Sequence, residues 1–113
     1  MTTVQRVAET TGDWRFVVIW EFRVPPGLES RFETEYGAAG MWTELFRKAE
    51  GYIASELVRD SKQERTYLTL DFWKSRETYE DFRLRSREAY RLLDARGEAL
   101  TESEREVGRF EKV

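Results

Sequence analysis

The chain has 113 residues, with 19 Lys and Arg against 22 Asp and Glu for a formal charge of −3. That length fits one domain around one hydrophobic core, and that balance gives no global attraction to nucleic acid or an anionic membrane. Cys and His are both absent, which excludes disulfides, thiolate and imidazole metal sites, cysteine nucleophiles and Ser/His/Asp triads. Any catalysis falls to carboxylates, Arg, Lys, Tyr, Trp, Ser or backbone groups, and no metal, haem or flavin cofactor is expected.

Residues 1–14 are polar and aperiodic and read as an N-terminal arm, with no apolar stretch resembling a signal peptide, so a cytoplasmic location is the default. Residues 16–24, FVVIWEFRV, are β-branched and aromatic and stop at Pro25-Pro26-Gly27, which predicts the first strand. Leu28, Phe32 and Tyr36 then follow helical spacing. The spacing resumes at Trp42, Leu45, Phe46 and Ala49 after Gly37-Ala38-Ala39-Gly40, so two short helices or one bent helix are expected before Gly51.

Residues 52–60 and 65–74 read as a hairpin joined by the polar Ser61-Lys62-Gln63-Glu64. A simple pleat puts Leu57 opposite Leu68, Ser55 opposite Leu70, Ala54 opposite Asp71, and Asp60 opposite Arg65. Ser75 is a suitable N-cap for a helix that buries Tyr79, Phe82, Ser86, Ala89 or Tyr90, and Leu93 and closes at Gly97; its Arg83, Arg85 and Arg87 read as a solvated face. Thr101 and Glu104 have capping-box spacing for one short turn, and residues 107–113 read as the last strand.

The order βαββαβ implies an α+β domain over residues 15–113, a four-stranded antiparallel sheet with the helices on one face. The helix-facing set is expected to be Phe16, Val18, Trp20, Phe22, Leu68, Leu70 and Phe72. Val17, Ile19, Glu21, Arg23, Tyr67, Thr69, Asp71 and Trp73 are then left on the other face, where their apolar part needs a partner or ligand. With four Trp, five Tyr and seven Phe, a thin two-layer domain has more bulky apolar surface than it hides easily, which also favours an interface or a pocket.

These residues resemble the antibiotic biosynthesis monooxygenase family. The matching features are the first strand running into Val24-Pro25-Pro26-Gly27 with Phe32 after it, Gly51-Tyr52 opening the second strand, and Leu70-Asp71-Phe72-Trp73-Lys74-Ser75 followed by Tyr79 and Phe82. They span about Phe16 to Val113. The resemblance implies a ferredoxin-like fold, a homodimeric α+β barrel formed by packing two sheets together, and a cavity between sheet and helices in each subunit. It also implies cofactor-independent oxygenation of a phenolic, quinol or polyketide-like substrate, or haem degradation. The chain departs from both patterns in having no histidine, neither the axial residue of the haem degraders nor the one after the third strand in many quinol oxidisers.

Oxygenation without a cofactor takes its electrons from the substrate, so the protein must remove a proton, stabilise the anion and exclude water. Asp71 is the first candidate for the base, because an aspartate in mid-strand is unusual and aromatic neighbours raise its pKa. Glu21 is the second, and Arg23 is placed to hold a phenolate. The same Glu21, Arg23 and Asp71, with Arg109, also fit a polar network at a dimer interface. Trp20, Trp42, Trp73, Tyr67 and Tyr90 are candidates for lining a flat aromatic ligand, and all are also explicable as packing. No carboxylate spacing suggests a metal site. Two functions stay open: an oxygenase, which needs a pocket containing Asp71 or Glu21, and a non-catalytic dimeric ligand-binding or accessory protein, in which those charges pair with one another and no cavity exists.

Overall fold

A computed structural model describes residues 13–113; most of the expected N-terminal arm, residues 1–12, lies outside the described residues. Strand β1 (Phe16–Arg23) leads through Pro25-Pro26-Gly27 into α1 (Glu29–Tyr36), and α2 (Met41–Phe46) follows the glycine break. Strands β2 (Tyr52–Arg59) and β3 (Thr66–Trp73) form the hairpin, and α3 (Arg76–Arg85), α4 (Arg87–Gly97), a 3₁₀ turn (Glu98–Leu100) and β4 (Ser103–Glu111) complete the chain. The order β2-β3-β1-β4, with every neighbour antiparallel, is the ferredoxin-like arrangement expected. Among the described residues no helix is long and apolar enough to cross a membrane.

Ser75 caps α3 as expected: its hydroxyl accepts from the Thr78 N–H at 3.1 Å while Thr78 Oγ1 accepts from the Ser75 N–H at 3.2 Å. Two expectations in this half of the chain are corrected. The single helix to Gly97 is divided at Ser86, whose φ of −107° and ψ of 22° leave the α-helical region. The capping-box turn at Thr101 and Glu104 does not form, because Thr101 is already extended and β4 begins at Ser103, pairing there with Arg23.

Directly opposed residues of an antiparallel pair point to the same face. β3 lies against β1 with Trp73 opposite Phe16, Asp71 opposite Val18, Thr69 opposite Trp20 and Tyr67 opposite Phe22. The helix-facing set of β1 is as expected, but that of β3 is Tyr67, Thr69, Asp71 and Trp73; Leu68, Leu70 and Phe72 face the other way with Glu21, Ile19 and Val17. The hairpin register is corrected for a related reason. Tyr52 does oppose Trp73, but a bulge at Ile53 moves the remainder of β2 by one residue, so that Ser55 meets Asp71, Leu57 meets Thr69 and Val58 meets Leu68. The turn closes from the Asp60 N–H to the Thr66 carbonyl, so Asp60 does not oppose Arg65.

The aromatic surplus fills two neighbouring clusters under the helices. Phe16, Val18, Phe46, Trp73, Tyr79 and Phe82 form one; Phe22, Val24, Phe32, Tyr36, Tyr67 and Leu100 form the other, and Trp20 and Trp42 pack against both. Gly51 sits at a tight junction, with φ at +93° and the position of an added Cβ only 2.5 Å from Thr78 Cβ in the first turn of α3. Neither the conformation nor the space admits a side chain. Gly51→Ala is expected to lower stability by about 1–3 kcal/mol, read as an earlier urea midpoint at unchanged slope.

Candidate active site

The helix-facing set of β3 has the wrong chemistry for a plain core, since it carries Thr69 and Asp71 among aromatic neighbours. The two occupy the floor of a cleft with Trp20 of β1 and Ser55 of β2. Tyr36, Trp42, Thr43 and Phe46 of α1 and α2 wall one side, Tyr90 and Asp94 of α4 another, and Phe22 and Glu104 the far end. The cavity between these walls is small, about 40 Å³, and opens to solvent. Glu56 also borders it, although its position opposite Leu70 assigns its side chain to the other face of the sheet.

Asp71 is the chemical centre of the cleft. Its residue exposure is 9 %. Ser55 Oγ donates to Asp71 Oδ1 at 2.7 Å and lies 2.8 Å from the Tyr52 hydroxyl. Since the Ser55 proton is committed to the carboxylate, the Tyr52 O–H must donate to Ser55. Oδ2 of Asp71 has no hydrogen bond among the described residues. Burial pushes the Asp71 carboxyl up to about 7 against the opposing effect of the Ser55 hydrogen bond. A carboxylate with one oxygen oriented and the other free, titrating near neutrality, is poised to take a proton from a weak acid placed beside it.

The walls supply donors that stay protonated. Burial pushes the Tyr36 phenol up to about 12, with Glu104, Asp94 and Glu35 adding to the rise. The Trp42 N–H leans towards that hydroxyl closely enough to oppose the rise but not in hydrogen-bond geometry, so Trp42 Nε1 stays buried without a partner. Burial also raises the Tyr90 phenol, with nearby Asp94 and Asp71 contributing and Arg83 opposing. The indole N–H of Trp73, in the core, is buried without a partner as well.

The structure brings four of the expected residues together: Asp71, Trp20, Trp42 and Tyr90 all line the cleft. It does not bring Glu21 and Arg23 to them. Both lie on the opposite sheet face, where Glu21 accepts from Arg105 Nη2 at 2.8 Å and Arg23 is exposed, so a joint Asp71–Glu21–Arg23 centre is ruled out by the β1–β3 register. Trp73 is core, fully buried between Phe46, Tyr52, Tyr79 and Phe82, and does not line the cleft. Tyr67 is also buried away from it, with its hydroxyl on Glu33 Oε2 at 2.6 Å. Arg109 pairs with Glu106 at 3.0 Å and sits over the Tyr79 ring.

Sequence reasoning missed Ser55, Tyr52, Tyr36, Asp94 and Glu104. Asp94 was accessible, being four residues beyond Tyr90 on one helix face. Ser55 and Tyr52 were not, because the bulge between them has no sequence signature beyond Gly51. Among the described residues no group of three acidic side chains is placed to hold a metal ion.

The chain is thus a ferredoxin-like α+β domain with a buried acid at the floor of an aromatic cleft. The antibiotic biosynthesis monooxygenase family model matches residues 15–91, and the chain belongs to that family. Its fold is that of SnoaB, a cofactor-independent oxygenase from Streptomyces nogalater, at 15 % identity and a TM-score of 0.70 over 88 % of this chain and 94 % of that one. PA3566 from Pseudomonas aeruginosa is similar at 16 % identity and 0.62 over 88 % and 95 %. MhuD, solved with two manganese protoporphyrin IX molecules in each active site, is similar at 19 % and 0.61 over 87 % and 94 %. No curated protein sequence matches the chain.

Burial of Asp71 carries a stability consequence. The folded carboxyl holds its proton to about pH 7 while the unfolded one loses it near 3.8. Between those values the unfolded state binds fewer protons, so stability falls as pH rises from 4 to 7 and levels off above. Asp71→Asn removes that loss. The variant should match the parent near pH 4 and exceed it at pH 8 by up to about 4 kcal/mol, measured by urea denaturation at both pH values.

Proposed function

We propose that this protein is a cofactor-independent monooxygenase for an electron-rich aromatic substrate, a phenol, quinol or polyketide-like compound, with Asp71 as the general base. The observation that carries the reading is the free oxygen of a nine-tenths buried carboxylate at the floor of an aromatic-walled cleft. A charge network without a cavity would have favoured the non-catalytic alternative. Here Glu21 is paired on the far face while Asp71 lines open space and has no Arg or Lys in ion-pair contact among the described residues. Membership of the family and the likeness to SnoaB support the same direction. Haem as a substrate fits poorly: the chain has no His or Cys to ligate iron, and the cleft offers carboxylates where haem propionates need cations.

In this reading the substrate ring lies between Trp20 and the Trp42 and Tyr90 walls with an acidic O–H or C–H at Asp71 Oδ2. Asp71 takes the proton, Ser55 and Tyr52 hold its other oxygen, and the Trp42 N–H donates to the oxygen on which negative charge develops. The resulting carbanion or phenolate is oxidised by dioxygen. The balance is RH2 + O2 → RO + H2O: the substrate supplies the electrons, one oxygen atom enters the product, and the other leaves as water with the two hydrogens.

We further propose a homodimer joined through the sheet face opposite the helices, where Ile19, Leu68 and Leu70 are half-buried and Val58 and Phe110 exposed, while Val17 and Phe72 are already covered within the chain. An interface of obligate size over such a surface outweighs the cost of association. Light scattering is expected to give twice the mass of one chain at micromolar concentration, and a monomer mass would refute the interface.

Oxygen uptake should appear with a hydroquinone or polycyclic phenol in the absence of added flavin, metal or haem. The rate should rise through pH 7 and plateau above, because Asp71 works deprotonated. Asp71→Asn is expected to lower it about 10²–10⁴-fold. Ser55→Ala removes the hydrogen bond that favours the charged form, so it should move the rising limb to higher pH by roughly one unit while leaving a measurable plateau. Probes that bind and raise the melting temperature without stimulating oxygen uptake would replace the enzyme with the ligand-binding protein.

A further inference from the structure

The cleft is electrically one-sided. Asp71 at the floor, Asp94 on α4 and Glu104 on β4 all face it, and no Lys or Arg lines it. That asymmetry stands out against a chain of 19 Lys and Arg. Seven carboxylates outside the cleft, Glu33, Glu102, Glu111, Asp81, Glu88, Glu21 and Glu106, each pair with an Arg, though others on the surface do not. Asp94 and Glu104 form no such pair among the described residues and face each other instead. Partial burial raises the Glu104 carboxyl, and Asp94 and Glu98 raise it further. Arg83 does not line the cleft; it stacks on the Tyr90 ring at 3.8 Å and donates to the Tyr79 hydroxyl at 2.9 Å.

Two further features point to a ligand. Asp71 is nine-tenths buried with Oδ2 free of any hydrogen bond among the described residues, and the Trp20, Tyr36 and Trp42 rings border the same space. Aromatic faces beside uncompensated carboxylates attract an organic cation through both the ring quadrupole and direct charge. An anion entering the same space would meet like charge in a poorly hydrated site. The two acidic ends are also separated. Asp71 stands level with Val18 on β1 and Glu104 level with Phe22, four residues or about 13 Å along the strand and two strand spacings or about 10 Å across the sheet, before side-chain reach shortens the gap.

We propose that the cleft selects an aromatic substrate of two or more fused rings that bears a cationic amino group, with its acidic hydroxyl at Asp71 and its ammonium at the Asp94–Glu104 rim. This deepens the oxygenase reading by naming the charge and size of the substrate of that same site, and it is tested by binding alone. Substrates ending in a carboxylate are rejected by the rim.

The test uses three naphthols of one shape: 6-(aminomethyl)-2-naphthol, 6-(hydroxymethyl)-2-naphthol and 6-hydroxy-2-naphthoate, titrated against the full chain by fluorescence at low salt and again at 1 M NaCl. The ammonium probe is expected to bind at least tenfold more tightly than the carboxylate probe, with the gap narrowing at high salt. In the Asp94→Asn/Glu104→Gln double variant the ratio should collapse to about twofold or less, and the neutral probe reports that the cleft is still formed. Equal or tighter binding of the carboxylate, a preference that survives the double variant, or no binding of the ammonium probe at millimolar concentration overturns the proposal. A preference for the ammonium probe without oxygen uptake by any substrate strikes the oxygenase reading and leaves the charge selectivity standing. Oxygen uptake with an anionic preference does the reverse.

Discussion

One inserted residue in β2 governs what Asp71 has beside it. Without the bulge at Ile53, the pairing that begins with Tyr52 opposite Trp73 would run on to place Ala54 opposite Asp71, and the buried carboxyl would face a methyl group. With it, Ser55 takes that place, and Tyr52 and Ser55, three apart in sequence, come to share one face. A uniform pleat cannot do this, because its side-chain period is two. The positive φ of Gly51 and its contact with Thr78 hold the strand entry where the bulge occurs. The oriented oxygen of Asp71 therefore traces back to a backbone irregularity on β2, the edge strand farthest from β4 and the rim.

Most of the architecture was legible in the residues. The strand before Pro25, the broken helix around Gly37 and Gly40, the hairpin and the Ser75 cap each have a local chemical signature, and each forms. The facing of β3 was not legible, for a reason that is itself informative. Its two alternating sets are Leu68, Leu70 and Phe72 against Tyr67, Thr69, Asp71 and Trp73. By hydrophobicity alone the first belongs under the helices. The structure reverses this: the more polar set turns inward because its polar members line a cleft, while the aliphatic set lies on the face without helices. A strand that turns its aliphatic residues away from the helices is built to have that side covered.

The same reversal explains which candidate residues come together. Asp71, Trp20, Trp42 and Tyr90 belong to four different elements, and only the Trp20 facing followed directly from the β1 pattern. Trp73 and Tyr67, chosen on the same aromatic grounds, are two positions from Asp71 or Thr69 on the same strand face, yet they pack wholly into the core because α2 and α3 cover one and α1 the other. Sequence identifies such rings as buried; only the placement of the short α2 and the Ser86 break decides which remain next to open space.

A carboxyl that resists ionisation until about pH 7 makes the folded state less stable than it would be with an amide in its place. Such a group is a burden under any selection that acts on folding alone, and drift would remove it readily, since a single base change in an aspartate codon yields Asn. At Asp71 folding stability and the proposed chemistry therefore pull in opposite directions. For an engineer it is a practical warning as well: a campaign that screens this scaffold for heat resistance, without a readout of the cleft, will tend to recover proteins in which the cleft has been silenced.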